Sequence, residues 1–259
     1  MGTALITGAS AGLGRELAWQ LAEDGEDLVL VARDEARLET LAAQLRASAG
    51  VEVEVLPADL SVDDDVARVA ARLREGGEGS EGSEDRAVDL LVNNAGFGVA
   101  RPFVRSDLDS EIAALDVMVR AVLVLTRAAV DSMVPRGHGA ILNVGSVAAL
   151  TLSGTYAAHK AWLNTFTQGL AHQLRSTGVT ATVVNPGFTR TEFHARLGMA
   201  KRPYPAAAWL EADSVVADAL EAVRRGRVEV TPSLRYRAIS ALLRALPTAV
   251  VRGLGSHRR

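Results

Sequence analysis

The sequence predicts an α/β fold, a single domain with a doubly wound, mostly parallel sheet, and three observations lead there. Short runs rich in Val, Ile and Leu recur along the chain, and longer segments of helical period separate them, the trace left by strands joined through crossover helices. Three glycines crowd the turn directly after the first apolar run, where a strand must hand over to a helix. The 259 residues are 48% hydrophobic and 23% charged, enough apolar material for one large core.

In chain order, strands are expected at about Thr3–Thr7, Asp27–Ala32, Val51–Leu56, Val88–Val92, Ala140–Val144, Val179–Val184 and Val228–Thr231, with helices filling the intervals. Residues 75–86 break the alternation. Glu75 to Asp85 contains no apolar residue and is rich in Gly, Ser and acid, so it reads as a flexible acidic insertion between a helix and the next strand, not a domain boundary. The helix from about Gly154 to Thr177 places Leu163, Phe166, Leu170 and Leu174 on one stripe, predicted to pack on the sheet. Residues 1–232 thus form the predicted domain and 233–259 a basic amphipathic tail. After Glu229 the chain carries Arg235, Arg237, Arg244, Arg252, Arg258 and Arg259 without any acid, with Ile239, Leu242, Leu243 and Leu246 at helical spacing. The tail is expected to cover the domain or pack in an oligomer; membrane-surface contact is the alternative.

Composition excludes several classes. A net charge of -3 gives no global field toward nucleic acid. The absence of cysteine rules out disulfides, thiolate metal sites and a cysteine nucleophile. His138, His159, His172, His194 and His257 show no metal-ligand spacing, so no metal is expected and each reads as a surface residue. The N-terminus lacks the pattern of a secretory signal, Ile6 stands where a myristoylation motif wants Ser or Thr, and no apolar run reaches the ~20 residues of a membrane span. A cytoplasmic protein is expected.

The turn Thr7-Gly8-Ala9-Ser10-Ala11-Gly12-Leu13-Gly14 leads into a helix, and its glycines allow a tight turn and close approach to a pyrophosphate resting on helix N-terminal amides. This makes the sheet Rossmann-type, with Gly8, Ser10, Gly12, Leu13 and Gly14 as cofactor contacts. Two other motifs overlap the turn. Gly8 to Gly12 also matches the G-x-S-x-G nucleophile elbow, which would make Ser10 an esterase nucleophile, but no earlier strand and loop exists to complete the oxyanion hole. A P-loop needs Gly-Lys-Ser/Thr, whereas Gly14 is followed by Arg15-Glu16. At the end of the second strand, where an acid would bind ribose hydroxyls, stand Ala32 and Arg33; a guanidinium suits a 2′-phosphate, favouring NADP(H) over NAD(H). Asp34 is either a displaced ribose ligand or a helix N-cap.

Tyr156 and Lys160 lie four residues apart at the start of a predicted helix and so share one face. A phenol titrates near pH 10, and a nearby cation favours the phenolate, which would bring the group toward proton exchange with an alcohol or carbonyl.

With these motifs the chain has Asp59-Leu60 after the third strand, Asn93-Asn94-Ala95-Gly96 after the fourth, and Asn185-Pro186-Gly187 with Thr191 after the sixth. From Thr3 to about Phe193 the sequence resembles the short-chain dehydrogenase/reductase family. The resemblance implies NADP(H)-linked reduction of a carbonyl, or the reverse alcohol oxidation, on a small-molecule substrate. It implies that Tyr156 is the general acid, that Lys160 binds the nicotinamide ribose and lowers the phenol's pKa, and that Ser146 orients the substrate oxygen. Asp59 and Leu60 would contact the adenine; Asn93, Ala95 and Gly96 would support the cofactor channel; Pro186, Gly187 and Thr191 would hold the carboxamide. Helical faces around Arg105–Val130 and Gly154–Thr177 would form a homo-dimer or homo-tetramer.

Two features depart from the family pattern. Ser146 precedes Tyr156 by only ten residues, about three fewer than usual, which leaves Ser153 or Asn143 as alternatives. Met118 stands where the family commonly has an Asn that kinks the helix and supports a relay water, and a Met side chain can do neither. A non-catalytic dinucleotide sensor or scaffold is therefore the alternative function. Residues 191–210 are expected to form a flap over the substrate, and Phe193, Met199, Tyr204 and Trp209 there suggest that the substrate is apolar.

Overall fold

A computed structural model describes residues 2–75, 87–99, 101–152, 154–193 and 205–255. Seven strands, β1 (Thr3–Thr7), β2 (Asp27–Ala32), β3 (Val53–Pro57), β4 (Leu90–Asn93), β5 (Gly139–Val144), β6 (Val179–Val184) and β7 (Glu229–Val230), form one sheet in the order β3-β2-β1-β4-β5-β6-β7. Every pairing is parallel. The helices are α1 (Gly12–Glu23), α2 (Glu35–Ala49), α3 (Asp63–Arg74), α4 (Leu108–Leu115), α5 (Ala121–Arg136), α6 (Gly154–Gln173), α7 (Ala212–Arg224), α8 (Leu234–Ala245) and α9 (Thr248–Gly255).

The fold is Rossmann-type and doubly wound. One core joins the sheet to α3 and α5 through residues such as Val69, Leu73, Leu125 and Met133, with Leu170 of α6 packed against it; the other joins it to α1, α2 and α7 through Leu17, Leu38, Leu45, Val216 and Leu220. Strands buried on both faces explain the nearly continuous apolar runs, Leu28-Val29-Leu30-Val31 being the clearest. Strand order reverses between β1 and β4, and at this switch point a crevice opens outside the carboxyl ends of the strands.

Three expectations change in detail. On α6 the packed stripe runs through Leu163 and Thr167, which donates to the Leu163 carbonyl (2.7 Å), while Phe166 stands one position off it and stacks on Trp162 with ring centroids 4.8 Å apart. The helix ends at Gln173, before Thr177, because Ser176 takes a left-handed backbone (φ 69°). In the tail, α8 and α9 form as helices, but α8 buries Tyr236 and Ser240 and leaves Ile239 and Leu242 exposed, so its docking face is not the apolar stripe read from the sequence. Apart from Glu75, the acidic insertion lies outside the described residues, as do Ser153, His194, Met199, Tyr204 and His257. Among the described residues no helix is long and apolar enough to cross a membrane.

Candidate active site

The glycine turn between β1 and α1 is locked to the end of β4. Gly8 adopts φ +68°, and a Cβ on Gly14 would stand 2.2 Å from the Gly8 carbonyl oxygen, so only glycine fits the two positions together. The Thr7 hydroxyl donates to the Val92 carbonyl (3.2 Å) and accepts from the amides of Asn94 (3.0 Å) and Ala95 (3.1 Å). Asn94 Nδ2 returns to the carbonyls of Thr7 (2.9 Å) and Gly8 (3.2 Å). α1 begins with Ala11 at its N-cap, without a side-chain cap and without an acid in its first turn. By contrast Asp34 caps α2 and Asp107 caps α4. The free amides at α1 therefore keep their positive end for an anion, the donor set that a dinucleotide pyrophosphate needs. Thr191, from the loop after β6, lies against Gly12 across this turn.

At the end of β2, the Arg33 side chain is 73% exposed and reaches within 3.7 Å of Asp59 across the crevice. Partial burial pushes the Asp59 carboxyl up, but hydrogen bonds from the Ser61 amide and hydroxyl together with the Arg33 charge outweigh it and hold the group below its ordinary value. Asp34 resolves as a cap: it accepts from the Arg37 amide (3.1 Å) and pairs with the Arg37 guanidinium (3.4 Å). Leu60 is buried in the core beside this corner.

On the other side of the crevice, α6 carries Tyr156 and Lys160 on one face. Ser146, two residues after β5, lies close enough to the Tyr156 phenol to oppose the rise of its pKa, so the short ten-residue spacing still brings the two together. Ser146 Oγ also accepts from the Ala148 amide (3.1 Å) and caps the short 3-10 turn Val147–Leu150, which takes up the shortened connection. Asn143 is not in play: it lies buried between Thr167, to which it donates (2.8 Å), and Asn93, from which it accepts (2.9 Å). Asn93 also donates to Thr126 (3.1 Å), so its side chain ties β4 to β5 and α5 rather than lining the crevice.

Lys160 is 5% exposed; its ammonium donates to the Val144 carbonyl (2.6 Å) and lies 5.8 Å from the centroid of the Tyr156 ring. Burial pushes Lys160 down to about 8. Burial likewise pushes the Tyr156 phenol up to about 12 against the opposing effect of the nearby Ser146 hydroxyl. In the free protein the phenol is therefore raised, not lowered as the Tyr-Lys spacing suggested, because desolvation of the phenolate dominates. Met118 is buried against Gly96, close to Lys160. The chain nevertheless forms a π turn over Asp116–Arg120, between α4 and α5, so the helix is interrupted there without an Asn.

A short chain dehydrogenase family model matches residues 2–201. The chain belongs to the short-chain dehydrogenase/reductase family. It is 35% identical over 198 residues to a short chain dehydrogenase of Pseudocercospora fijiensis, a match covering 74% of this chain and 61% of that protein's length. Among solved structures it is similar to a short-chain dehydrogenase from Sphingobium yanoikuyae in complex with NADPH (35% identity, TM-score 0.82, covering 96% of this chain and 98% of that one). It is also similar to the bulky-bulky ketone specific alcohol dehydrogenase from Comamonas testosteroni (31% identity, TM-score 0.79, covering 96% of each chain). The chain is an oxidoreductase of this family, whose members bind a dinucleotide cofactor and small-molecule substrates.

Other residues of this short-chain dehydrogenase/reductase fall into place around the crevice. The Tyr156 and Phe193 rings lie 5.7 Å apart, as do those of Phe188 and Trp209. His159, read as a surface residue, is buried at 8% exposure, with the Glu111 carboxylate nearby; burial pushes its imidazole down. His138 and His172 are exposed, and no group of metal-binding side chains occurs among the described residues. Ser10 makes no hydrogen bond to a histidine among them. Thr7 and Asn94, the locks of the glycine turn, lie inside the sequence motifs of the crevice, but spacing alone does not mark their role. Glu111 is buried as well and accepts from Ser106 (2.7 Å) and Thr155 (2.6 Å) beside the first turn of α6. No motif marks Glu111; only the packing of α4 on α6 reveals it.

Proposed function

We propose that this chain is an NADP(H)-dependent carbonyl reductase, equally able to run the reverse alcohol oxidation, with an apolar ketone or aldehyde as substrate. The observation that carries this reading is the Ser146 hydroxyl beside the Tyr156 phenol, one helical turn from the buried Lys160, with the phenol holding its proton throughout the neutral range. A substrate carbonyl oxygen placed at the pair accepts from both hydroxyls. As that oxygen gains negative charge, Tyr156 transfers its proton and Ser146 holds the oxygen in line. The Lys160 ammonium, fixed by Val144, then offsets the phenolate charge. When bound, the reduced nicotinamide supplies the hydride.

The residues present fit such a cofactor. Gly8, Ser10, Gly12, Leu13 and Gly14 would form the pyrophosphate cradle, and Arg33 would meet a 2′-phosphate, a role favoured because Asp34 is engaged as a cap. Asp59 and Leu60 would border the adenine; Asn93, Ala95 and Gly96 would back the channel; Tyr156 and Lys160 would take the nicotinamide ribose; Pro186, Gly187 and Thr191 would take the carboxamide. The NADPH complex of the Sphingobium relative supports the cofactor choice, and the ketone named for the Comamonas relative supports the substrate class. We assign catalysis to residues 1–232 and a covering role to 233–259. Exposed Leu108, Ile112 and Leu115 on α4 with Leu123 on α5 suit a homo-dimer or homo-tetramer of a cytoplasmic enzyme.

The test is NADPH and NADH oxidation against a panel of bulky ketones and aldehydes, with wild type and Tyr156→Phe in parallel. Turnover with NADPH that vanishes in the variant is the expected result. NADPH binding with no turnover would favour the non-catalytic alternative, and absence of binding would overturn the proposal.

A further inference from the structure

The basic tail contains a residue whose hydroxyl bonds both segments that follow β6. Tyr236, on α8, is 5% exposed. Its hydroxyl donates to the Ala208 carbonyl (2.7 Å) and accepts from the Phe188 amide (3.1 Å). Its ring lies so close beneath Gly187 that a Cβ there would fall 2.1 Å from the ring carbon Cζ. It thus grips both the loop leaving β6 and the segment returning toward α7. The same two segments are paired by Leu210 donating to the Phe188 carbonyl (2.8 Å) and Arg190 to the Leu210 carbonyl (2.9 Å).

Around the ring, Leu210 and Val215 complete a small apolar cluster that also takes in Leu13, from the glycine turn, and Val147, next to Ser146. A second contact from α8 reaches the same place. Arg244 pairs with Glu229, Glu229 accepts from Asn185 Nδ2 (3.1 Å), and Asn185 Oδ1 accepts from the Ser146 amide (3.0 Å). Val147 in turn donates to the Pro186 carbonyl (3.0 Å).

We propose that Tyr236 is a positioning residue of this active site: by holding the Gly187–Phe188 segment against Ala208, it sets the wall beside the proposed nicotinamide end of the crevice relative to Ser146. This rests on the cofactor reading above. A phenol suits the task because one hydroxyl can donate to a carbonyl and accept from an amide at once, while the flat ring fills the space under a glycine. α8 is on this view a component of the site, not an appendage to it.

Tyr236→Phe tests the idea, since it keeps the ring and removes both hydrogen bonds, leaving the Phe188 amide and the Ala208 carbonyl without their partner. Three quantities are read on the full chain: backbone hydrogen exchange of residues 187–190 in the free protein, the dissociation constant for NADPH, and kcat against KM for a ketone turned over by wild type. Exchange at residues 187–190 should quicken about tenfold and NADPH should bind about tenfold more weakly, with the thermal midpoint lowered by no more than about a few degrees. Unchanged exchange and unchanged NADPH affinity would overturn the proposal. So would faster exchange spread over the whole chain with NADPH affinity unchanged, which would make Tyr236 a general stability residue. If wild type itself fails to bind NADPH, the functional reading fails by that result, while the exchange experiment still decides whether Tyr236 positions the segment.

Discussion

Replacing Lys160 by Met isolates what a buried ammonium costs the free protein. Burial moves this group from 10.5 to about 8, so the folded chain releases its proton about 2.5 pH units before the unfolded chain does. At ~1.36 kcal/mol per unit, the charged form is disfavoured in the fold by roughly 3 kcal/mol. Between pH 8 and 10.5 the unfolded state binds more protons than the native state, so this group makes stability rise with pH. Below pH 8 both states are protonated and the penalty is fully present. Integration across the window gives wild type a gain of ~2 kcal/mol between pH 7 and pH 9.5 from Lys160 alone. Lys160→Met lacks that group. Urea unfolding of both proteins at pH 7, 8, 9 and 9.5 should therefore show the wild-type-minus-variant difference climbing by ~2 kcal/mol. Tyr156 does not interfere, because its native form stays protonated over this range and its unfolded titration is common to both proteins. Parallel stability profiles would refute the argument, because they would mean that Lys160 is hydrated in the free protein and titrates near its ordinary value.

The other predictions concern the cofactor and the chemistry. Tyr156→Phe should lower kcat by ~10²- to 10⁴-fold, with NADPH affinity changed far less, as measured by steady-state kinetics and fluorescence titration. Arg33→Ala should raise KM for NADPH by roughly 10- to 100-fold and leave NADH nearly unaffected, since only the former offers a phosphate to the guanidinium; an equal change for both would remove the 2′-phosphate assignment. Asn94→Ala deletes the two bonds from Nδ2 to the carbonyls of Thr7 and Gly8. It should cost about 1–3 kcal/mol in urea unfolding and weaken NADPH as well, because the glycine turn loses its tie to β4.

Much of the architecture was legible in the sequence because the physics that sets it is local. A strand buried on both faces must be continuously apolar, as in Leu28–Val31, and a backbone that turns at φ +68° under a carbonyl must be glycine, as at Gly8. The Tyr156–Lys160 pair was readable for the same reason, since four residues on a helix fix a shared face. What stayed hidden depends on contacts between distant segments. Asn143 and Asn93 look like site residues by position, yet they bond to each other across adjacent strands and so are withdrawn from the crevice. Glu111 and His159 look exposed by composition, yet α4 packing on α6 buries both.

The titration of Tyr156 shows why spacing alone misjudges such a site. Placing an ammonium four residues from a phenol suggests a stabilised phenolate, but the same fold that brings them together removes water from both. Desolvation then acts in opposite directions on an acid and a base, raising the phenol to about 12 and lowering the ammonium to about 8. Each shift disfavours charge, so the free protein holds Tyr156 as a neutral proton donor. That is the form carbonyl reduction requires at its start, and it makes the raised phenol compatible with general acid catalysis. Only the appearance of negative charge on a substrate oxygen would reverse the balance, by giving the Tyr156 proton a destination and the Lys160 charge a partner.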